Sequence, residues 1–274
     1  MTPFSVSEGD GPIILGQPHG GTWLPDALAA RLNANGRALA DTDSHIAKLY
    51  AGLLPGLTVV ASNVHRYAID ANRDPAGGSL YPGQNTTSLC PTTDFDGQPI
   101  WAEGQNPGAD EILARRDSFH APYHAALMDQ VDRVRARHGL AILYDCHSIR
   151  SVIPFLFPGT LPVFSIGTND GATSAALVQC STADPCQKAA GFDTVVNGRF
   201  KGGWTTRHYG RPADGIHAVQ MELAQRAYLA AEAAPWTYAP RIAAPLRAVL
   251  GQILQSLDTL ARSGVLTHEG AFHA

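Results

Sequence analysis

The sequence predicts an α/β fold with a mainly parallel or mixed sheet, for three reasons. Short apolar runs, Ile13–Leu15 and Leu140–Tyr144 foremost, empty into polar loops in the manner of buried strands. Other segments, notably within residues 111–138 and 240–262, repeat their apolar residues at helical spacing. Composition removes the main alternatives. Of 274 residues only 16% are charged, against about 25% in an average soluble protein, so a Glu/Lys-rich coiled coil or bundle is excluded. A hydrophobic content of 45% excludes disorder, while 27 glycines and 19 prolines indicate many turns. The length allows one large domain or two small ones, and the continuous alternation of elements, free of repeats and low-complexity tracts, favours one domain over residues 1–274.

The elements follow in order. The run Ile13–Leu15 ends in Gly16-Gln17-Pro18-His19-Gly20-Gly21, a tight loop at a strand end. Residues Leu24 to Arg37 read as a helix with Pro25 and Asp26 in its first turn, where a missing N–H costs nothing and a carboxylate complements the helix dipole. A second helix carries Ile46, Leu49, Tyr50 and Leu53 and stops at Pro55-Gly56, and Thr58–Ala61 is the next strand. Residues 74–107 form a loop-rich insertion too long for a plain connector, expected either to wrap the site or to form a subunit contact. Ile112, Phe119, Tyr123, Leu127, Val131 and Val134 mark one or two amphipathic helices ending at Gly139. After the strand Leu140–Tyr144 come strand Val163–Ile166, helix Ala172–Gln179, strands Thr194–Val196 and Ala218–Leu223, and a helix Pro240–Arg262 covering one face of the sheet.

Charge and cysteine usage narrow the function classes. Twenty basic and 24 acidic side chains give a net charge of −4 with no basic run, which argues against a nucleic-acid partner. No apolar stretch approaches the roughly 20 residues of a membrane span, and the N-terminus lacks the basic and apolar regions of a secretory signal. A soluble cytoplasmic protein without membrane contact is the expectation, its oligomeric state left open. Cys90, Cys146, Cys180 and Cys186 read as ordinary thiols, because a core of this size needs no disulfide framework.

His19 and His147, 128 residues apart, both sit just beyond expected strand ends, and strand C-termini in an open α/β sheet converge on one crevice. With a carboxylate they would supply three ligands to a zinc ion and leave a fourth position for water. Asp43 is the first candidate and Asp41 the second, with His45 a supporting group or a bystander. Chance placement of two of the 11 histidines is the bland alternative. Asp145 either orients an imidazole or satisfies loop amides. Glu222, in the apolar strand Val219-Gln220-Met221-Glu222-Leu223, is either a buried general base or a group turned to solvent, and Gln220 shares the ambiguity. Arg66, Asn72 and Arg73 form a cluster suited to holding a carboxylate or polarising a carbonyl, against the alternative of surface ion pairs. Arg199, Lys201 and Arg207 occupy a glycine-bearing segment without phosphate-loop spacing. Ser148 and Cys146 beside His147 raise a serine or cysteine hydrolase, which the missing GxSxG elbow argues against.

The order of these motifs resembles that of the N-formylglutamate amidohydrolases. The resemblance runs through Pro18-His19-Gly20-Gly21, Asp41-Thr42-Asp43-Ser44-His45, Arg66-Tyr67, Asp70-Ala71-Asn72-Arg73, Leu80-Tyr81-Pro82-Gly83-Gln84, Asp145-Cys146-His147-Ser148-Ile149-Arg150, Asn197–Gly203 and Gln220-Met221-Glu222-Leu223, over roughly residues 10–230. It implies a phosphorylase/hydrolase-like three-layer α/β/α sandwich, akin to zinc carboxypeptidases and aspartoacylase-like deacylases, with one zinc ion. It also implies roles: His19 and His147 as zinc ligands, Asn72-Arg73 on a substrate carboxylate, Arg66 on the carbonyl, and Glu222 as base. Carboxypeptidases carry a Glu three residues after the first His, where this chain has Thr22, so Asp43 would replace it. The implied reaction is hydrolysis of N-formyl-L-glutamate to formate and L-glutamate in histidine degradation, with Arg150, Arg199, Lys201 and Arg207 competing for the second carboxylate. The alternatives are a hydrolase of another N-acyl amino acid and a non-catalytic carboxylate-binding protein on the same scaffold.

Overall fold

The computed structural model describes residues 2–79 and 83–268, so Leu80, Tyr81 and Pro82 of the motif above lie outside the described residues. Seven strands, β1 (Phe4–Ser7), β2 (Ile13–Gln17), β3 (Thr58–Ser62), β4 (Ala141–Ile149), β5 (Phe164–Gly167), β6 (Thr194–Val196) and β7 (Ile216–Ala224), form one sheet in the order β1-β3-β2-β4-β7-β5-β6. The central strands β3, β2, β4 and β7 run parallel, whereas β1 is antiparallel to β3 and β5 antiparallel to β7. The sheet is therefore mixed, with a parallel centre. Helices α1 (Asp26–Ala29), α2 (Ala34–Arg37), α3 (Ile46–Tyr50), α4 (Ala109–Arg115), α5 (Ala121–His138), α6 (Ala176–Lys188), α7 (Trp204–Tyr209), α8 (Pro240–Arg262) and α9 (Val265–His268) complete the fold. None of the helices among the described residues is long and apolar enough to cross a membrane.

Alternation along the strands builds two cores. Ile13, Leu15, Ile142 and Tyr144 point to one face, where α3, α6 and α8 bury Leu49, Val178, Leu250 and Ile253 against them. Ile14, Leu143 and Ala218 point to the other, against Tyr123, Leu127 and Val131 of α5. Helices on both faces make the expected three layers.

Several boundaries differ from the sequence reading. Three of the four residues of edge strand β1 are exposed, and the alternation Phe4-Ser5-Val6-Ser7 is too short to announce it. Leu24–Arg37 is not one helix: Asn33 adopts an extended backbone, caps α2 by accepting from Gly36 N–H at 2.8 Å, and donates its own N–H to Ile100 O at 3.1 Å. The approach of Ile100 O leaves no room for a Cβ at Gly36, so the long insertion itself splits the helix. Positive φ at Asn169, Asp170 and Gly171 delays α6 to Ala176, from where it continues through Pro185. Strand β4 does not stop at Tyr144. It pairs with β7 residue by residue from Ala141↔Ile216 to Ile149↔Ala224, which places Asp145 and His147 within the strand rather than beyond its end. All four cysteines are free thiols.

Residues 109–138 form one continuous helical run interrupted by a π turn at Arg116–His120, where the Ala121 N–H reaches Arg116 O five residues back. Pro122, two residues beyond the turn, has no N–H to offer a regular α turn, and the wider turn accommodates it.

Leu143, fully buried between β4 and α5, tests this packing. Leu143→Ala is expected to lower the unfolding free energy in urea by about 2–5 kcal/mol, whereas Leu113→Ala, at a position 48% exposed, should stay within about 0.5 kcal/mol of wild type. Acid sensitivity is a second expectation. Burial pushes His65 and His124 down to about 3 and His217 down to about 4. These rings stay neutral in the fold while the unfolded chain takes up protons below about pH 6.5, so the stability they confer at pH 7 is lost as pH falls towards 4. His217→Gln should lose about 2 kcal/mol less than wild type between pH 7 and pH 5 in denaturant titrations.

Candidate active site

The face of the sheet that meets α5 changes character along its length. On β4, Ala141 and Leu143 give way to Asp145 and His147; on β7, Ile216 and Ala218 give way to Gln220 and Glu222. Because β4 and β7 are parallel and in register, His147 and Glu222 stand side by side. His19, just past β2, and Asp43, just before α3, close the group, and the Asp43 N–H bonds His19 O at 3.1 Å.

His19, Asp43 and His147 are buried and offer three ligand atoms to one point. His19 Nε2 lies 2.7 Å from Asp70 Oδ1 and His147 Nε2 lies 3.0 Å from Asp145 Oδ2. When both rings are neutral these carboxylates hold the protons on Nε2 and direct both Nδ1 atoms, 3.1 Å apart, at one point; against the effect of burial, the Asp145 and Asp43 carboxylates raise the pKa of His147 well above its ordinary value, which a ligated cation would reverse. Asp43 Oδ2 completes the triangle at 3.4 Å from His147 Nδ1 and 3.8 Å from His19 Nδ1. Ligand atoms about 2.0–2.2 Å from a tetrahedral ion are separated by about 3.4 Å, and opposed lone pairs are satisfied by a cation, so the set fits a divalent metal of the zinc type. Burial, seconded by the Arg66 charge, pushes His19 down to about 4, which keeps its ring neutral and able to ligate.

Asp41 is not in this triangle. Its Oδ2 accepts from the Tyr67 hydroxyl and from the Phe95 N–H, each at 2.9 Å, and burial pushes its carboxyl up to about 7. His45 also stands apart, its Nε2 bonded to Trp236 O at 2.8 Å. Asp145 orients an imidazole, and its Oδ2 also accepts from Thr206 Oγ1 at 3.2 Å. Glu222 is only 7% exposed, which settles its direction: burial pushes it up to about 8, against the opposing pull of His147. Gln220 shares this face, accepting from the Gly203 N–H at 2.6 Å. Arg66 is buried with its guanidinium 3.6 Å from Asp43 Oδ1 and stacked 4.9 Å from the Phe95 ring, and the charges of Asp70 and Asp43 keep it cationic despite burial.

These residues line a cleft of ≈ 600 Å³ including its mouth. Three arginines reach it: Arg66, Arg73 and Arg199. Arg73 is held by Thr87, to whose carbonyl its Nε donates at 2.9 Å, and Arg199 by Leu156 O at 3.0 Å and Asn85 O at 3.1 Å. Ser148 lines the cleft as well, with its hydroxyl accepting from Tyr228 at 2.7 Å.

The profile of the N-formylglutamate amidohydrolases (FGase) matches residues 11–229. Two relatives called N-formylglutamate deformylase, from Pseudomonas putida and Pseudomonas aeruginosa, are 44% and 43% identical over 255 and 256 residues, covering 93% of this chain and 95% of each relative. The chain belongs to the N-formylglutamate amidohydrolase family. A crystal structure of N-formylglutamate amidohydrolase from Ralstonia eutropha JMP134 superposes with a TM-score of 0.78 at 25% identity, over 97% of this chain and all of that one. A gene product of Agrobacterium tumefaciens shares the fold at a TM-score of 0.71 and 16% identity.

For this member of the family the structure sorts the cations named from sequence. Arg150 is not on the cleft; it reaches Asp96 Oδ2 at 2.8 Å. Arg207 donates from Nε to Gly202 O at 2.9 Å and Lys201 pairs with Asp170 at 2.9 Å, both off the cleft lining. The sequence reading missed the role of Asp70, although its place two residues before Asn72 in a charge-poor chain was a usable signal. It also missed Asn85, Thr86, Thr87 and Phe95, which the long insertion delivers to the cleft.

One equivalent of zinc per chain should raise the melting temperature of the wild type and leave His147→Ala unshifted, as read by calorimetry. Asp145→Asn should bind zinc about 10–100-fold more weakly in competition with a chromophoric chelator.

Proposed function

We propose that the chain hydrolyses N-formyl-L-glutamate to formate and L-glutamate, using a zinc ion held by His19, Asp43 and His147. The observation that carries the reading is a buried His/Asp/His triangle beside Glu222 and Arg66 in a cleft that also presents Arg73 and Arg199. The 43–44% identity to relatives named N-formylglutamate deformylase supports the same substrate.

When bound, zinc supplies Lewis acidity towards the formyl carbonyl and lowers the pKa of water at the site. Glu222 takes a proton from the water whose oxygen bonds to the formyl carbon, and its elevated pKa suits it to hold that proton near neutral pH. As the carbon–nitrogen bond breaks, Glu222 returns the proton to the departing nitrogen, leaving formate and the free amine of glutamate. Arg66, rigidly buried, donates to the oxygen on which negative charge develops. Asn72 and Arg73 hold one carboxylate and Arg199 the other, and Gln220, bonded to Gly203, backs Glu222. The family resemblance extends the proposal to a cytoplasmic role in histidine breakdown.

Formate release from N-formyl-L-glutamate, with and without chelator, tests the reading directly. Turnover should vanish with chelator and return with zinc, and N-acetyl-L-glutamate and N-acetyl-L-aspartate should be poorer substrates by kcat/KM; a preference for either acetyl compound would replace the formyl assignment. Glu222→Gln should retain zinc and lose about 10²–10⁴ in kcat. Arg199→Met should raise KM about 10–100-fold with a smaller change in kcat, the cost of one charge-assisted contact.

A further inference from the structure

Behind Asn72 and Arg73 lies a histidine–aromatic cluster that the reaction above does not use. His120 ends the π turn and His124 stands one turn later on α5, so the two rings share a helix face, with centroids 4.3 Å apart. Both reach the chain segment that carries Asn72 and Arg73. His120 Nε2 lies 3.0 Å from Arg73 O, and His124 Nε2 lies 2.7 Å from Ala71 O. A carbonyl only accepts, so each ring donates from Nε2–H, and the Nδ1 of His124 faces the Tyr209 hydroxyl at 3.1 Å. Burial lowers the pKa of both rings, which keeps them neutral.

The opposite side of the segment is fixed as firmly. Asn72 N–H donates to Asp70 Oδ1 at 2.9 Å, and Asn72 Oδ1 accepts from the Thr205 N–H at 2.9 Å. That second bond leaves Asn72 Nδ2 3.1 Å from His147 Nε2, an approach of two nitrogens that is not a hydrogen bond while the Nε2 proton points at Asp145. A Cβ on Gly203 would collide with the Asn72 amide, so α7 begins directly against it. Trp204, the first residue of α7, packs on His124 at 4.7 Å and on His120 at 5.4 Å.

We propose that His120 and His124 are positioning residues, whose Nε2–H groups clamp the carbonyls of Arg73 and Ala71 and thereby set Asn72 and Arg73 in the substrate cleft. The π turn is the device that presents them. It ends at His120, directly opposite Arg73 O, while the regular helix beyond it remains free to pack on the apolar half of the sheet. The inference rests on the reading that Asn72 and Arg73 face the substrate. Neither imidazole touches substrate or metal; each acts only through the backbone it holds.

The test crosses donor against ring. His120→Phe and His124→Phe keep an aromatic ring against Trp204 but donate nothing, whereas His120→Gln and His124→Gln keep an N–H donor and lose the ring. If the clamp operates, the Phe variants raise KM for N-formyl-L-glutamate about tenfold or more, with kcat within about threefold and zinc stoichiometry unchanged, while the Gln variants stay within about threefold of the wild-type KM. The reverse pattern, Phe tolerated and Gln impaired, identifies plain core packing and overturns the proposal, as does an equal response of both pairs. Amide hydrogen exchange across residues 70–74 gives a readout without substrate: about tenfold faster exchange in the Phe variants and wild-type exchange in the Gln variants is expected, and unchanged exchange in the Phe variants overturns it. A wild type that releases no formate refutes the assigned reaction alone, and the exchange measurement still decides the clamp.

Discussion

Two carboxylate–imidazole pairs, His19 with Asp70 at 2.7 Å and His147 with Asp145 at 3.0 Å, set the terms for the rest of the site. A neutral imidazole carries one ring proton, and a carboxylate at Nε2 decides where it sits. With both rings neutral and their protons held outward, as metal ligation requires, both Nδ1 lone pairs converge, and Asp43 closes the triangle. Such a group is costly to bury unless every charge has a partner. The partners are present: Arg66 beside Asp43, Arg73 3.7 Å from Asp70, and the backbone N–H of Ser148 on Asp43 Oδ2 at 3.0 Å. The placement of arginines around the buried triangle follows from that compensation as much as from any substrate.

The same strands supply stability and chemistry by a gradient along their length. Where β4 and β7 are apolar on the α5 side, α5 answers with Tyr123, Leu127 and Val131; where they turn polar, His120 and His124 meet the carbonyls of Arg73 and Ala71 instead. The π turn marks the changeover. In register, the parallel ladder carries His147 and Glu222 to the same height, so the candidate ligand and the candidate base are positioned by one backbone hydrogen-bond network.

Much of this was legible in the residues. The apolar runs at Ile13 and Leu140 located the central strands because both faces are covered and nothing polar interrupts the run. Glu222 stood out because a carboxylate in such a strand has to be partnered, and Asp145 because it flanks a histidine. Other features left no local trace. The exposed edge strand β1 offers only the short alternation of Phe4 and Val6 with two serines, and the split between α1 and α2 comes from Ile100, more than 60 residues away, pressing on Gly36. Arg150, Arg199 and Arg207 are alike in sequence, and only the cleft separates Arg199 from the other two.

The sequence by itself determined the α/β class, the candidate ligand and base types, and the family, because those rest on residue chemistry and on the order of motifs along the chain. Tertiary structure alone decided that Asp43 rather than Asp41 faces the histidines, that Asp70 and Asp145 stand at their Nε2 atoms, and that His120 and His124 meet the carbonyls of Arg73 and Ala71. These are questions of direction and distance between residues remote in sequence. Side chains of the same type two positions apart can point to opposite ends of a turn, and no local pattern encodes which of them meets a partner from another strand.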